Sequence, residues 1–202
     1  MRRTKQDAEK TRRKIVEAAL QLFSSNGYTN TTLAKIAAEA GFSRGPIYWH
    51  FNNKDELFEE VLSFSQQPLA SLIEQARDGG DCPLTAIHTF AERWLRLLVE
   101  NHWHRQSFEI LLNKTEMTAT LERTLKRERK LTRDVVSVLT GLVSQAQQQQ
   151  QISTRHSANE LGLLCYTYLM GITQTWLFSP RLFKLNREIP FFLERLDCLL
   201  RP

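Results

Sequence analysis

The chain has 202 residues, 42% hydrophobic and 24% charged, with a formal net charge of +5. That length supports one good core, or a small module joined to a larger one, and no apolar run approaches the roughly 20 residues of a membrane span. Three isolated cysteines, Cys82, Cys165 and Cys198, show no C-x-x-C spacing. This argues against a disulfide framework and a cysteine zinc site, and a basic N-terminus without the apolar run of a secretory signal leads us to expect a cytoplasmic protein with no membrane partner.

The charge is unevenly placed. Residues 1–54 hold ten basic side chains against four acidic ones, and the remainder 17 against 18. A basic module on a near-neutral body points to an anionic partner. Few glycines and prolines, long 3.6-residue periodicities and no period-2 run predict an all-α chain.

In chain order, residues 10–26 place Ile15, Ala19, Leu22 and Phe23 on one helical face, with Gly27 as C-cap. Thr32 caps a short helix with Leu33, Ile36, Ala37 and Ala40 on its apolar side, and Gly41 ends it. Ser43 caps a third helix, "RGPIYWHF", in which Ile47 and Phe51 are core by spacing. Pro46 falls in that helix's first turn, where its missing N–H costs nothing. The Ser43 hydroxyl therefore has no N–H at the third helical position to cap, and must use the Gly45 N–H or remain free for a phosphate. Gly45 carries no side chain to hold a duplex away. Three short helices with a three- or four-residue turn between the second and third form a helix-turn-helix.

Asn53, with Glu56 as capping-box partner, opens a fourth helix through Leu57, Phe58, Val61, Leu62 and Phe64, which Pro68 kinks or breaks before a further piece reaches Arg77. The late turns at Val61, Leu62 and Phe64 are expected to meet the larger body. "DGGDCP" is a loop. Cys165 and Cys198, in apolar stretches, read as small hydrophobes. Helices follow over "LTAIHTFAERWLRLLVENHW", around "SFEILLNKTEM", and over residues 119–151, whose glutamine-rich end reads as solvated. A capping box at Ser157 and Glu160 starts a helix that stops before Pro180, and a last helix covers residues 188–200. The domain expectation is a helix-turn-helix domain over residues 1–53 and a larger helical ligand-binding and dimerisation domain over 54–202.

The helix beginning at Ala158 is apolar nearly all round, and the last is similarly broad. Part of their covering is therefore expected from a second copy, through Cys165, Leu169, Ile172, Trp176, Phe192, Leu196 and Leu200. Pockets between bundle helices are mostly apolar with a few polar groups. Phe64, Phe90, Trp94 and Phe108, with Glu109, Glu116 and Gln174, are the candidates for binding a hydrophobic small molecule. His102 and His104 diverge on a helix and read as surface residues beside a core Trp103, not metal ligands. No G-x-S-x-G, phosphate loop or H-E-x-x-H occurs, so neither enzyme activity nor a cofactor or metal is expected.

The stretches "I-x-x-A-A-x-x-L-F-x-x-x-G", "T-T-L-x-x-I-A-x-x-A-G-F-S" and "G-x-I-Y-W-H-F-x-N-K-x-E-L", spanning roughly residues 10–60, resemble the DNA-binding domain of TetR-family transcriptional regulators. The remainder, through "ILLNKTEM" and "GITQTWLFSPRLFKL", is similar to the AcrR-like branch, repressors of multidrug efflux pumps. Pro46 departs from the pattern, since family members more often carry Ala or Thr there. The resemblance implies that Arg44 to His50 form the recognition helix, that Tyr48 and His50 touch phosphates or sugars, that Lys54 neutralises a phosphate, and that Thr32 donates to the backbone. Thr31, Lys35, Ser43, Gly45, Pro46 and Trp49 complete the expected DNA-binding set. Side-chain chemistry agrees: hydroxyls, lysines and helix N-termini position a duplex, and Arg44 can clamp a guanine bidentately. Trp49 either wedges against sugar or thymine methyl, or packs inside the module.

The expected function is a homodimeric repressor bound to a palindromic operator of double-stranded DNA and released by a hydrophobic small-molecule effector. The alternative is a helix-turn-helix regulator or architectural DNA-binding protein without an inducer. A helical lipid or drug carrier would leave the Tyr-Trp-His cluster and the basic N-terminus unexplained.

Overall fold

The computed structural model describes residues 5–77, 80, 82–115 and 121–201. Among them are nine α-helices and no strand: α1 (Lys5–Asn26), α2 (Leu33–Glu39), α3 (Arg44–His50), α4 (Lys54–Arg77), α5 (Pro83–Glu100), α6 (His102–Asn113), α7 (Glu122–Gln148), α8 (Ala158–Phe178) and α9 (Leu185–Leu200). They form two compact units, Met1–Gln66 with Trp103–Thr124, and Gln67–His102 with Leu125–Pro202.

In the first unit, Ile15, Ala19, Leu20 and Phe23 of α1 pack with Ile36, Ile47, Phe51, Leu57, Phe58, Val61, Leu62 and Ile110 in one core. Val61 and Leu62 thus belong to this unit's interior, in one core with Ile110 and Leu121 from beyond α4. Helix α1 starts at Lys5, five residues before the apolar periodicity does. Its extra turns are held by polar contacts that a hydrophobic pattern cannot register: Thr11 is buried with its hydroxyl donating to the Asp7 carbonyl, and Arg12 pairs with Glu60.

Gly27 closes α1 at φ +78°, and a Cβ there would stand 3.0 Å from the Lys114 carbonyl oxygen. Conformation and space both require glycine. Helix α4 runs through Pro68 without a break. The proline forgoes only the bond its own N–H would have made to the Phe64 carbonyl, and the buried Leu69, Leu72, Ile73 and Ala76 beyond it hold the helix on course. The capping box at Asn53 forms one residue out of register. Asn53 accepts from the Glu56 N–H as expected, but the Glu56 carboxylate takes the N–H of Asn52.

In the second unit, α5 lies against α8 and α9. The Trp94 indole N–H donates to Thr173 at 3.0 Å, and Thr173 donates in turn to the Leu169 carbonyl. Gly162 of α8 approaches Thr140 of α7 so closely that a Cβ would fall 2.8 Å from the threonine Cα. The box at Ser157 and Glu160 forms as the sequence predicts. The glutamine run is not simply solvated: Gln147 donates to the Ser153 and His156 carbonyls, and Gln151 accepts the Leu84 N–H. That N–H lies in the first turn of α5, which the Cys82 side chain leaves uncapped.

The expected dimer residues need correction. Cys165, Leu169, Ile172, Leu196 and Leu200 are buried within their own chain, because α8 and α9 pack on each other and on α5. Trp176 and Phe192 are half-buried. The large apolar side chains left exposed on these helices and the turn between them are Leu163, Phe178, Leu182, Phe191 and Leu199. Cys198 is also exposed and is not the core residue its apolar surroundings predicted, whereas Cys165 is. Among the described residues no helix is long and apolar enough to cross a membrane.

Candidate nucleic-acid interface

The helix-turn-helix is built by two caps and a glycine. The Thr32 hydroxyl oxygen accepts the Lys35 N–H at 3.2 Å, fixing the start of α2. At its end the Gly41 N–H bonds the Ala38 carbonyl and the Phe42 N–H the Ala37 carbonyl. This is a Schellman motif, and Gly41 takes the left-handed turn it needs at φ +75°. The chain then leaves in the direction that starts α3 at Arg44. Ser43 occupies the N-cap with no side-chain capping bond: the proline at the third helical position offers no N–H, and the Gly45 N–H is not taken either.

Ile47 and Phe51 anchor α3 in the core, fully buried, and so turn Arg44, Tyr48 and Trp49 outward. Tyr48 is 60% and Trp49 71% exposed. Trp49 therefore does not pack inside the module. Its ring stands edge-on to His50 at 4.6 Å, and the half-buried His50 touches Phe51 in turn. Arg44, Gly45, Ser43 and Thr32 are exposed, and Pro46 is half-buried. Lys35 is exposed with its ammonium on the Asn30 carbonyl. Thr31 is the exception in the expected set. It is fully buried, its hydroxyl lying against the Leu22 and Gly27 carbonyls, so it presents nothing to a duplex and instead ties the α1–α2 turn.

Lys54 is the first residue of α4, where a cation opposes the helix dipole and an anion is favoured. Its ammonium donates to the Tyr28 carbonyl at 2.9 Å and stands 4.0 Å from the centre of the Tyr28 ring. Partial burial pushes its pKa down. One N–H is committed to Tyr28, and the ammonium's remaining donors are available to a phosphate. Tyr28 is itself wedged between Phe23 and Phe58 and donates its hydroxyl to Asp55. Arg12, stacked 5.2 Å over Phe51 and paired with Glu60, fastens α4 to α1. The family resemblance pointed to Tyr48 and Lys54, and side-chain chemistry to Arg44, but Tyr28 and Arg12 were not legible as supports. The signal available for them was an aromatic after the Gly27 turn and an arginine one helical face away from the core stripe.

On this arrangement the two kinds of contact separate. Arg44→Ala should lose discrimination at one base pair, about 1–3 kcal/mol. Lys54→Ala should weaken all sequences alike and make the log–log salt slope shallower by about one phosphate. Anisotropy titrations on specific and random duplexes across a salt series distinguish them. Equal losses on both duplexes for both variants would contradict the division.

The candidate effector residues are divided between the two units. Phe64, Phe108 and Glu109 lie in the first unit, and Phe90, Trp94 and Gln174 in the second. Phe64 is exposed and its ring lies 4.8 Å from that of Trp103, while Phe108 is buried against His104. Glu109 takes a hydrogen bond from Ser24 and faces Arg105. Gln174 is exposed, and Glu116 lies outside the described residues. Phe90 lines a cavity of about 420 Å³ between the later turns of α4 and α5, with Leu72, Ala76, Thr85 and Arg93.

His104 departs from expectation. It is buried, its Nδ1 3.3 Å from the Ser65 carbonyl oxygen, which makes that nitrogen the donor. Burial pushes its pKa down to about 4. The unfolded chain binds this proton near pH 6.5 and the folded chain does not, so stability is complete above pH 6.5 and falls as the pH drops toward 4. Between pH 7.5 and 5 the loss should be about 2 kcal/mol. Urea midpoints at the two pH values should show it in the wild type and much less of it in His104→Phe; an equal drop in both would refute the assignment.

Comparison with known proteins agrees with this geometry. Residues 15–61 match the N-terminal model of the tetR family of bacterial regulatory proteins, and residues 82–201 match the C-terminal region of MAATS-type transcriptional repressors. The chain is 31% identical to the HTH-type transcriptional regulator AcrR of Shigella flexneri, over 93% of this chain and 87% of that one. It is also 31% identical to the HTH-type transcriptional regulator TtgR of Pseudomonas putida, over 89% and 86%. Among solved structures it superposes on NalD, the secondary repressor of the MexAB-OprM multidrug efflux pump in Pseudomonas aeruginosa, with a TM-score of 0.86, 28% identity and 98% of both chains covered. The chain belongs to the TetR family of transcriptional regulators, in the group with the MAATS-type repressor C-terminal region.

Proposed function

We propose that the protein is a cytoplasmic repressor of a multidrug efflux operon, acting as a homodimer on a palindromic operator and released by a hydrophobic small molecule. The observation that carries the reading is the outward face of α3: Arg44, Tyr48 and Trp49 are exposed on a helix whose other side is locked into the core. Two such helices would enter successive major grooves. The function named for NalD, repression of a multidrug efflux pump, supports the choice of target. The exposed Leu163, Phe178, Leu182, Phe191 and Leu199 support a second copy of the chain as their cover.

Release follows from α4, one continuous helix with Lys54 at its start and Leu72 and Ala76 against the cavity near its end. A ligand that favours one setting of this helix changes the affinity for DNA, and DNA changes the affinity for the ligand by the same factor. A tenfold to hundredfold effect needs only about 1.4–2.8 kcal/mol of differential binding. Titrating lipophilic cations and dyes against tryptophan fluorescence, with and without operator, measures both sides. Weaker ligand binding in the presence of operator supports the reading. Ligands that bind equally well in both conditions would favour a regulator without an inducer.

A further inference from the structure

Three groups of Tyr28 converge on the start of α4. Its carbonyl holds the Lys54 ammonium, its ring lies under that same ammonium, and its hydroxyl donates to the carboxylate of Asp55. Asp55 is the residue next to Lys54 and, in the second position of α4, lies at the end of the helix offered to phosphate. A carboxylate there serves the helix dipole but works against DNA in two ways: it repels the phosphate, and it can pair with the lysine meant for it. Tyr28 is placed to weaken both by holding the carboxylate, although Asp55 still acts on the Lys54 charge. It is 9% exposed and clamped between Phe23 and Phe58, so its hydroxyl is a fixed donor and not a swinging one. Burial and the Asp55 carboxylate both push the phenol's pKa up, which keeps it a donor at any pH where the protein works.

We propose that Tyr28 is a positioning residue for DNA binding, whose hydroxyl withdraws the Asp55 carboxylate from Lys54 and leaves the lysine's charge for a backbone phosphate. The inference rests on the DNA-binding reading of α3 and α4. It assigns Tyr28 no contact with DNA.

The test is a titration of random-sequence and operator duplexes, over a sodium chloride series, with the full chain as wild type, Tyr28→Phe, Asp55→Asn, the double variant, and Lys54→Ala. Phenylalanine keeps the ring between Phe23 and Phe58 and removes only the hydroxyl. Tyr28→Phe should bind both duplexes about 5- to 10-fold more weakly, with a salt slope shallower by about one phosphate, because the freed carboxylate competes for Lys54. Asp55→Asn should restore both quantities in the double variant, to within about twofold of Asp55→Asn alone. A role in packing alone would lower the unfolding temperature without moving the slope and would not be rescued at position 55. Tyr28→Phe binding like the wild type, or a loss that persists with Asp55→Asn, overturns the proposal. If Lys54→Ala leaves the slope unchanged, the phosphate reading of Lys54 fails first and the proposal with it. If Lys54→Ala flattens the slope but Tyr28→Phe does not, only the proposal fails.

Discussion

Phe58→Ala should destabilise the first unit by about 3–5 kcal/mol and abolish operator binding near physiological temperature. Phe58 is fully buried, meets Phe23 edge-on at 5.0 Å and lies 4.8 Å from Tyr28. Truncation leaves a cavity under the ring that carries Lys54, so the loss reaches the interface as well as the core. Against a typical total of about 5–15 kcal/mol, the change takes a large share of the stability. For a chain of this length it corresponds to an unfolding temperature lower by roughly 10 °C. Scanning calorimetry with a parallel DNA titration checks it. A shift of only a degree or two would mean that the aromatic cluster is not what seats α4.

The second large effect concerns assembly. Phe178→Asp with Leu199→Asp should yield a folded monomer whose operator affinity is lower by on the order of 100- to 10,000-fold, because two half-sites are then bound separately and not through one linked pair. Both side chains are exposed, at 77% and 44%, so the charges cost the single chain little. Leu169→Asp or Leu196→Asp should behave differently. Those side chains are 1% exposed, and an unpaired buried charge would unfold the second unit. Sedimentation separates the cases. A Phe178→Asp/Leu199→Asp protein that remains a dimer would show that α8 and α9 do not carry the interface.

What the sequence made legible follows from which forces leave local marks. The caps at Thr32 and Ser157, the left-handed glycines Gly27 and Gly41, and the orientation of α3 fixed by Ile47 and Phe51 are set within a few residues, and all appear as read. Positions decided by distant partners were hidden. Thr31 looks like a surface threonine until the Leu22 and Gly27 carbonyls receive it, and His104 looks like a surface histidine until Ser65 does. Helix α8 illustrates the limit of periodicity. A helix apolar all round needs covers on several sides, but its pattern does not say which side faces α5 and α9 and which is left outward. Reading the buried Leu169 and Leu196 as partner-facing follows from that ambiguity. Pro68 shows the same principle for the backbone, since buried neighbours outweigh one absent hydrogen bond.

With Arg44, Tyr48 and Trp49 turned outward, α3 is expected to read a specific duplex. That expectation is tested most directly by selecting DNA bound to the full chain from a random pool at about 150 mM salt, where nonspecific contacts are weakened. The expected result is enrichment of an inverted repeat whose half-site centres lie about 34–36 Å apart, one helical turn, with one base pair losing its preference when the selection is repeated with Arg44→Ala. A bound pool no more ordered than the input, or a repeat that Arg44→Ala leaves unchanged at every position, would contradict it.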